Sequence, residues 1–162
     1  MITVLQRVHQ ASVTVDGTII SEIGSGLLLL VGIEKGDTDE DVHFTVRKVV
    51  ELRIFPDEEG KMNCSIREKD GAILAVSQFT LAADIRKGRR PSFDTAMPPA
   101  EARLLFERFV AELRASGVPV AIGSFGIPPP PPAMTVKPLS RRVVIASGLT
   151  KRSGIGEGTT RR

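Results

Sequence analysis

Ile2, Val4, Gln6 and Val8 interleave with Thr3, Leu5 and Arg7, and Ser12-Val13-Thr14-Val15 resumes the same two-residue period before an Asp16-Gly17 pair. That period belongs to a strand, and Asp-Gly is a dipeptide that closes a tight hairpin. A hairpin is predicted, its second arm running from Thr18 to Ile23. Gly24 and Gly26 bracket a further turn, after which Leu27 to Ile33 is apolar on both faces, as a central strand must be. Gly36-Asp37-Thr38-Asp39 supplies N-cap chemistry, and Val42, Val46, Val49 and Val50 fall at helical spacing, which predicts a helix over 38–52. Ile54-Phe55, a charged turn at Pro56 to Gly60 and a short 61–65 segment lead to Ile73 to Leu81, read as a buried strand that ends in the polar side chains Ser77, Gln78 and Thr80. A second helix opens at Pro98-Pro99-Ala100-Glu101, carries Leu105, Phe109 and Leu113 at four-residue intervals and ends at Ser116-Gly117. One more strand is predicted over 118–122.

The pattern breaks at Gly126. Five consecutive prolines follow Ile127, and prolines lack the amide donors that a helix or a sheet ladder needs. Beyond them the chain is rich in Arg, Ser, Gly and Thr, with a short strand conceivable only near Val143 to Ala146. The expected organisation is a folded domain over 1–126 and a Pro-rich, then basic, disordered tail over 127–162.

Charge follows the same division. Residues 1–126 hold 15 Lys/Arg against 18 Asp/Glu, and residues 127–162 hold 7 against 1, so the net +3 of the 162-residue chain is a property of the tail. Within the folded part only Arg86-Lys87-Gly88-Arg89-Arg90 forms a basic cluster, of the kind that holds phosphates. The apolar content of 41% suits one domain with a real core. The longest apolar run, Leu27 to Ile33, is far short of the roughly 20 residues of a membrane helix, so no membrane role is expected. The N-terminus alternates like a strand and not like a signal peptide. One cysteine, Cys64, permits no intrachain disulfide, and a reducing cytoplasm is the expected setting.

The inventory of catalytic groups is thin. His9 and His43 are the only histidines; His43 is expected to be a solvated helix residue, and Cys64 has no neighbouring base. No metal-ligand spacing and no phosphate-loop motif occur, so neither a metal nor another cofactor is expected. Two readings of residues 77–80 follow from spacing alone. Their side chains cap the strand and satisfy buried backbone groups, or the strand end aims backbone NH donors at an oxyanion, a device worth about 3 to 4 kcal/mol per donor in acyl transfer.

Several blocks carry a resemblance: Gln6-Arg7-Val8 with Ala11-Ser12-Val13, Ile23-Gly24-Ser25-Gly26-Leu27, Arg53-Ile54-Phe55 with Gly60-Lys61-Met62-Asn63, Val76 to Asp84, and Gly88-Arg89-Arg90-Pro91-Ser92-Phe93. In this order, over residues 1–126, they resemble D-aminoacyl-tRNA deacylase. The resemblance implies an α+β fold in which curved antiparallel sheets form a barrel-like body with two main outer helices. It implies a cytoplasmic homodimer that hydrolyses the ester of D-aminoacyl-tRNA, or of glycyl-tRNA mischarged on tRNA(Ala), as translation quality control. The family's Ser-Gln-x-Thr motif falls on Ser77, Gln78, Phe79 and Thr80 as catalytic residues, with the substrate's 2′-hydroxyl assisting. Arg7, Met62, Arg89, Arg90, Phe93 and Phe125 are the corresponding substrate-binding candidates, the arginines for phosphate and Phe79, Phe93 and Phe125 for stacking on the terminal adenosine.

One family element is missing. A Gly-Pro-Val-Thr motif belongs near the C-terminus and excludes L-amino acids across the dimer, yet no Gly-Pro dipeptide occurs in this chain. The composition change at Gly126 is what a shifted reading frame produces, with a divergent terminus or a reassigned tail as alternatives. Its loss is expected to leave a sheet edge open, weaken the dimer and blur D/L discrimination. A catalytically impaired homologue that binds tRNA or RNA is the alternative function.

Overall fold

In the computed structural model, residues 1–86, 88–123, 125, 133–138 and 144–148 are described. The first strand, β1 (Ile2–Val15), is long because its alternation serves two cores. Met1 and Leu5 point into one cluster, and Val8, Ala11 and Val13 into another on the opposite face. Asp16 and Gly17 both take positive φ, 48° and 77°, as the tight hairpin turn demands. The chain returns as β2 (Thr18–Ile23) and, after Gly24-Ser25, as β3 (Gly26–Gly32). These two strands form one long partner of β1: Ala11 lies opposite Ile23, Val8 opposite Gly26 and Ile2 opposite Gly32.

Helix α1 (Asp39–Glu51) starts where the N-cap signal places it. The Thr38 NH and hydroxyl donate to the Asp41 carboxylate at 2.8 and 3.0 Å, and three acidic residues occupy the first turn, where the helix dipole favours them. A small separate hairpin, β4 (Phe55–Pro56) and β5 (Met62–Cys64), precedes β6 (Ala72–Ser77). Helix α2 (Pro99–Ala115) leads to β7 (Val120–Ile122). Both helices are those expected from periodicity. The α+β class also stands, but the sheet is mixed: β6 runs parallel to β3, and β7 parallel to β6. Parallel neighbours need long crossovers, and α1 and α2 supply them.

Val42, Val46, Val49 and Val50 of α1 meet Leu105, Phe106, Phe109, Val110 and Leu113 of α2 over Leu27, Leu29, Val31, Ile73 and Ala75. The opposite face of the same strands closes a second core around Leu28, Leu74 and Val76 with Val8, Val13 and Ile23. The sheet curls enough for β2 to reach β6 and β7, which makes the body barrel-like.

The tail differs from expectation. Ala133–Pro138 (β8) and Val144–Gly148 (β9) are strands, and both pair antiparallel with β1. Residues 2–6 of β1 thus have β3 and β9 as neighbours, and residues 11–14 have β2 and β8. The edge expected to be open is covered, because a strand edge presents unpaired NH and C=O groups and the Met-Thr-Val and Val-Ile-Ala runs have the β-forming character to pair with it. The short strand expected near 143–146 is β9. The proline run and the last 14 residues lie outside the described residues.

Gly26 tests the β3–β6 contact. A Cβ there would sit 1.8 Å from the carbonyl oxygen of Ala72, whereas one on Gly24 would meet nothing within 4 Å. Gly26→Ala is therefore expected to lose about 3 kcal/mol or more of stability in urea unfolding, and Gly24→Ala less than about 0.5 kcal/mol. Equal midpoints would contradict the close approach.

Candidate active site at the end of β6

Ile73, Leu74, Ala75 and Val76 bury β6 on both faces, and the strand stops at Ser77 opposite Val31. The expected strand through Leu81 is thus too long. Gln78 still donates its NH to the Val31 carbonyl at 2.7 Å, and then Phe79–Ala82 coils into one 3-10 turn, with Leu81 NH to Gln78 C=O and Ala83 NH to Thr80 C=O both at 3.2 Å. Gly32, the last residue of β3, makes room for it. A Cβ at Gly32 would lie 2.9 Å from Leu81 Cβ and 3.2 Å from the Gln78 carbonyl oxygen. The turn rests on bare backbone.

Its start is chemically open. The amides of Phe79 and Thr80 donate to no acceptor among the described residues, as the first NH groups of a helical turn generally do not. The Gln78 side-chain amide donates to the Thr80 hydroxyl, which orients both side chains. The Thr95 hydroxyl donates to the Ala82 carbonyl at 2.9 Å and ties the end of the turn to the returning chain. Phe79 is 59% exposed and meets Phe93 edge-on, ring centroids 5.2 Å apart.

Between Ala82 and Phe93 the chain makes a closed loop. Asp84 and Ser92 exchange both backbone hydrogen bonds, at 2.8 and 2.9 Å. The Asp84 carboxylate accepts from the Arg86 amide at 2.9 Å and from its guanidinium at 2.6 to 3.1 Å. That fork holds the Asp84 carboxyl down at about 2. Because the folded value is depressed, the pairing is complete above the ordinary carboxylate range and is lost only as pH falls toward 2. Arg86 is thereby removed from the set of cations free to meet phosphate. Arg89 and Arg90 are exposed and make no ion pair among the described residues. Lys87 lies outside them.

The structure brings Ser77 to Thr80, Phe93 and the Arg89-Arg90 loop into one chain segment around the turn. Three other candidates stand apart. Arg7 is buried in the row of Leu27 and Ile73, whereas Ser77 shares a row with Val31 and Thr3, four residues or about 13 Å further along the strands. Met62 is exposed on β5, and Phe125 is half-buried against Phe106, ring centroids 5.9 Å apart. His43 lies on the outer surface of α1, 3.4 Å from Glu112 of α2, and Cys64 is half-buried on β5. Among the described residues no group of three His, Cys, Asp or Glu side chains is placed to hold a metal ion.

The family model for D-Tyr-tRNA(Tyr) deacylase matches residues 4–128. The chain belongs to this family. It is 55% identical over 125 residues to the D-aminoacyl-tRNA deacylase of Geobacter sulfurreducens, covering 77% of this chain and 82% of that protein. It is 58% identical over 126 residues to the one from Thermomicrobium roseum, covering 78% and 82%. Among solved structures, one of a c-Myc DNA unwinding element binding protein superposes with a TM-score of 0.78 at 38% identity, covering 91% of this chain and 99% of that one. A probable eukaryotic D-amino acid tRNA deacylase shares the fold, with a TM-score of 0.69 at 19% identity over 89% and 98%. A match over 91% takes in more of the chain than residues 1–128 amount to, so the likeness continues into the segment that carries β8 and β9.

Sequence reading missed two residues that shape the site of this family member. Gly32 interrupts an apolar strand, which is the signal of a close backbone approach. Asp84 closes the Val76 to Asp84 block and stands near the basic cluster, but nothing in the sequence marks its carboxylate as the partner of Arg86. Gly32→Ala is expected to displace the 78–82 turn, lowering activity on the substrate proposed below by about a hundredfold at a stability cost of about 1 to 3 kcal/mol. Full activity alongside that stability loss would show that the turn's seat on β3 does not matter.

Proposed function

We propose that the chain hydrolyses the ester that joins a D-amino acid to the terminal ribose of tRNA, releasing free D-amino acid and reusable tRNA. The observation that carries this reading is the pair of amides, Phe79 and Thr80, which donate to no acceptor among the described residues at the start of an exposed turn. Family membership supplies the substrate class. The ester carbonyl oxygen accepts from these amides, and negative charge that develops when water adds to the carbonyl carbon is stabilised there. The C–O bond to the ribose then breaks, and the departing oxygen takes up a proton. The free 2′-hydroxyl of the same ribose stands next to the reacting carbon and does the work of the missing base. Gln78 and Thr80 hold the turn in shape through their mutual hydrogen bond.

The tRNA end lies over the turn, its adenine against the Phe79–Phe93 pair and its phosphates toward Arg89 and Arg90. Chemical fit supports this placement: two exposed aromatic rings are in contact, and two exposed guanidinium groups with no ion pair among the described residues precede Phe93 by three and four positions. Glycyl-tRNA mischarged on tRNA(Ala) is a second substrate under the same reading, since glycine lacks a side chain to reject. The protein acts in the cytoplasm as a homodimer, a reading that family membership suggests and that the exposed Ile19 and Ile20 on β2 suit.

Purified protein is expected to release D-tyrosine from D-Tyr-tRNA and glycine from Gly-tRNA, with Thr80→Ala slower by about tenfold and Cys64→Ala or His43→Ala nearly unchanged. No release above background would remove the enzyme reading. Equal losses in all three variants would remove the site from residues 77–80.

A further inference from the structure

The loop that bears Arg89 and Arg90 is held by one carboxylate. Asp84 pairs through its backbone with Ser92, so residues 85–91 leave and return at one point. Its carboxylate then folds the first residue pair of the loop back on itself, accepting from the Arg86 NH and bidentately from the Arg86 guanidinium. Gly88 takes a φ of 75° within the loop, a conformation that side chains other than glycine rarely adopt. On the returning side the Ser92 hydroxyl accepts from the Asp94 NH at 3.2 Å, and Phe93 lies against Phe79. The base of the loop is therefore continuous with the turn at 79–82.

Arg86 is 84% exposed, and exposed ion pairs contribute little to global stability. The consequence of this one is local. A loop with adjacent like charges at Arg89 and Arg90 repels itself, and its side chains have to be ordered when a polyanion binds. Holding the loop in advance removes part of that cost. The pairing survives at any pH at which tRNA esters are studied, because the Asp84 carboxyl is held at about 2.

We propose that Asp84 is a positioning residue: it clasps the loop through Arg86 so that Arg89 and Arg90 meet the phosphates next to the tRNA 3′ end, while Arg86 is its counterion and touches no phosphate. This rests on the deacylase reading above. It has a consequence of unusual sign. Deleting a carboxylate beside a polyanion site ordinarily tightens binding by removing repulsion, whereas deleting a clasp weakens it.

The test measures uncharged tRNA affinity by fluorescence anisotropy at fixed salt, and KM and kcat on D-Tyr-tRNA, for wild type, Asp84→Asn, Arg86→Gln, the double variant, and Arg89→Ala with Arg90→Ala. Asp84→Asn is expected to weaken tRNA binding and raise KM by about three- to tenfold with kcat within about twofold, the factor that ordering one or two long side chains costs. Arg86→Gln should do the same, and the double variant no more than either, because the two residues act as one unit. Hydrogen exchange at the Ser92 amide should accelerate in both single variants, a readout that needs no nucleic acid. Unchanged or tighter tRNA binding by Asp84→Asn, with Arg89→Ala and Arg90→Ala still weakening it, would overturn the clasp and leave the deacylase reading standing. A wild-type protein that neither binds tRNA nor hydrolyses its ester would overturn both.

Discussion

The parallel pairing of β6 on β3 is the contact on which the site depends. It is bounded by two glycines for two different reasons. At Gly26 the neighbouring strand comes so near that the Ala72 carbonyl occupies the place of a side chain. At Gly32 the space is taken instead by the turn that follows β6. Between them Leu27 to Val31 is in register with Ile73 to Ser77, and that register decides which residue of β6 is the last to be held by the sheet. The turn at 79–82 begins where the ladder ends, and for that reason its first amides have no acceptor among the described residues.

A second dependence runs through charge. Four cations in the 86–90 segment look equivalent in a sequence, but Arg86 differs in environment from Arg89 and Arg90. Asp84 neutralises Arg86, and the remaining positive charge of the segment belongs to Lys87 and to the exposed pair Arg89 and Arg90. The acidic balance of residues 1–126 makes such a patch stand out: the folded body does not attract polyanions at large, and a small basic loop beside the turn directs where one docks.

Much of the fold was legible because periodicity is a direct image of burial. The Asp16-Gly17 hairpin, the two-faced strand at 27–32 and both helices follow from spacing, and the N-cap Thr38 and the first-position proline Pro99 mark the helix starts. The end of β6 was not legible. Gln-Phe-Thr-Leu has strand-like composition, and only the tertiary contact with Gly32 turns it into a 3-10 turn. The tail was misread for a related reason. Five prolines forbid a ladder where they stand, but they say nothing about whether residues beyond them return to the sheet, and β1 offered an edge that β8 and β9 fill. Within the site, the motif at 77–80 was visible from its polar residues, whereas the separation of Arg7 from Ser77 along the strands emerges only from the register.

The same geometry gives catalysis donors and, among the described residues, no base hydrogen-bonded at the turn. If the turn supplies oxyanion stabilisation and the substrate supplies the hydroxyl, the decisive experiment alters the substrate and not the protein. Hydrolysis of D-Tyr-tRNA ending in 2′-deoxyadenosine, with the amino acid on the 3′ oxygen, should be slower than that of the ordinary ester by at least about a hundredfold, the scale of a lost general base. A rate within about twofold of the ordinary substrate would mean that the protein holds a base that this account does not contain.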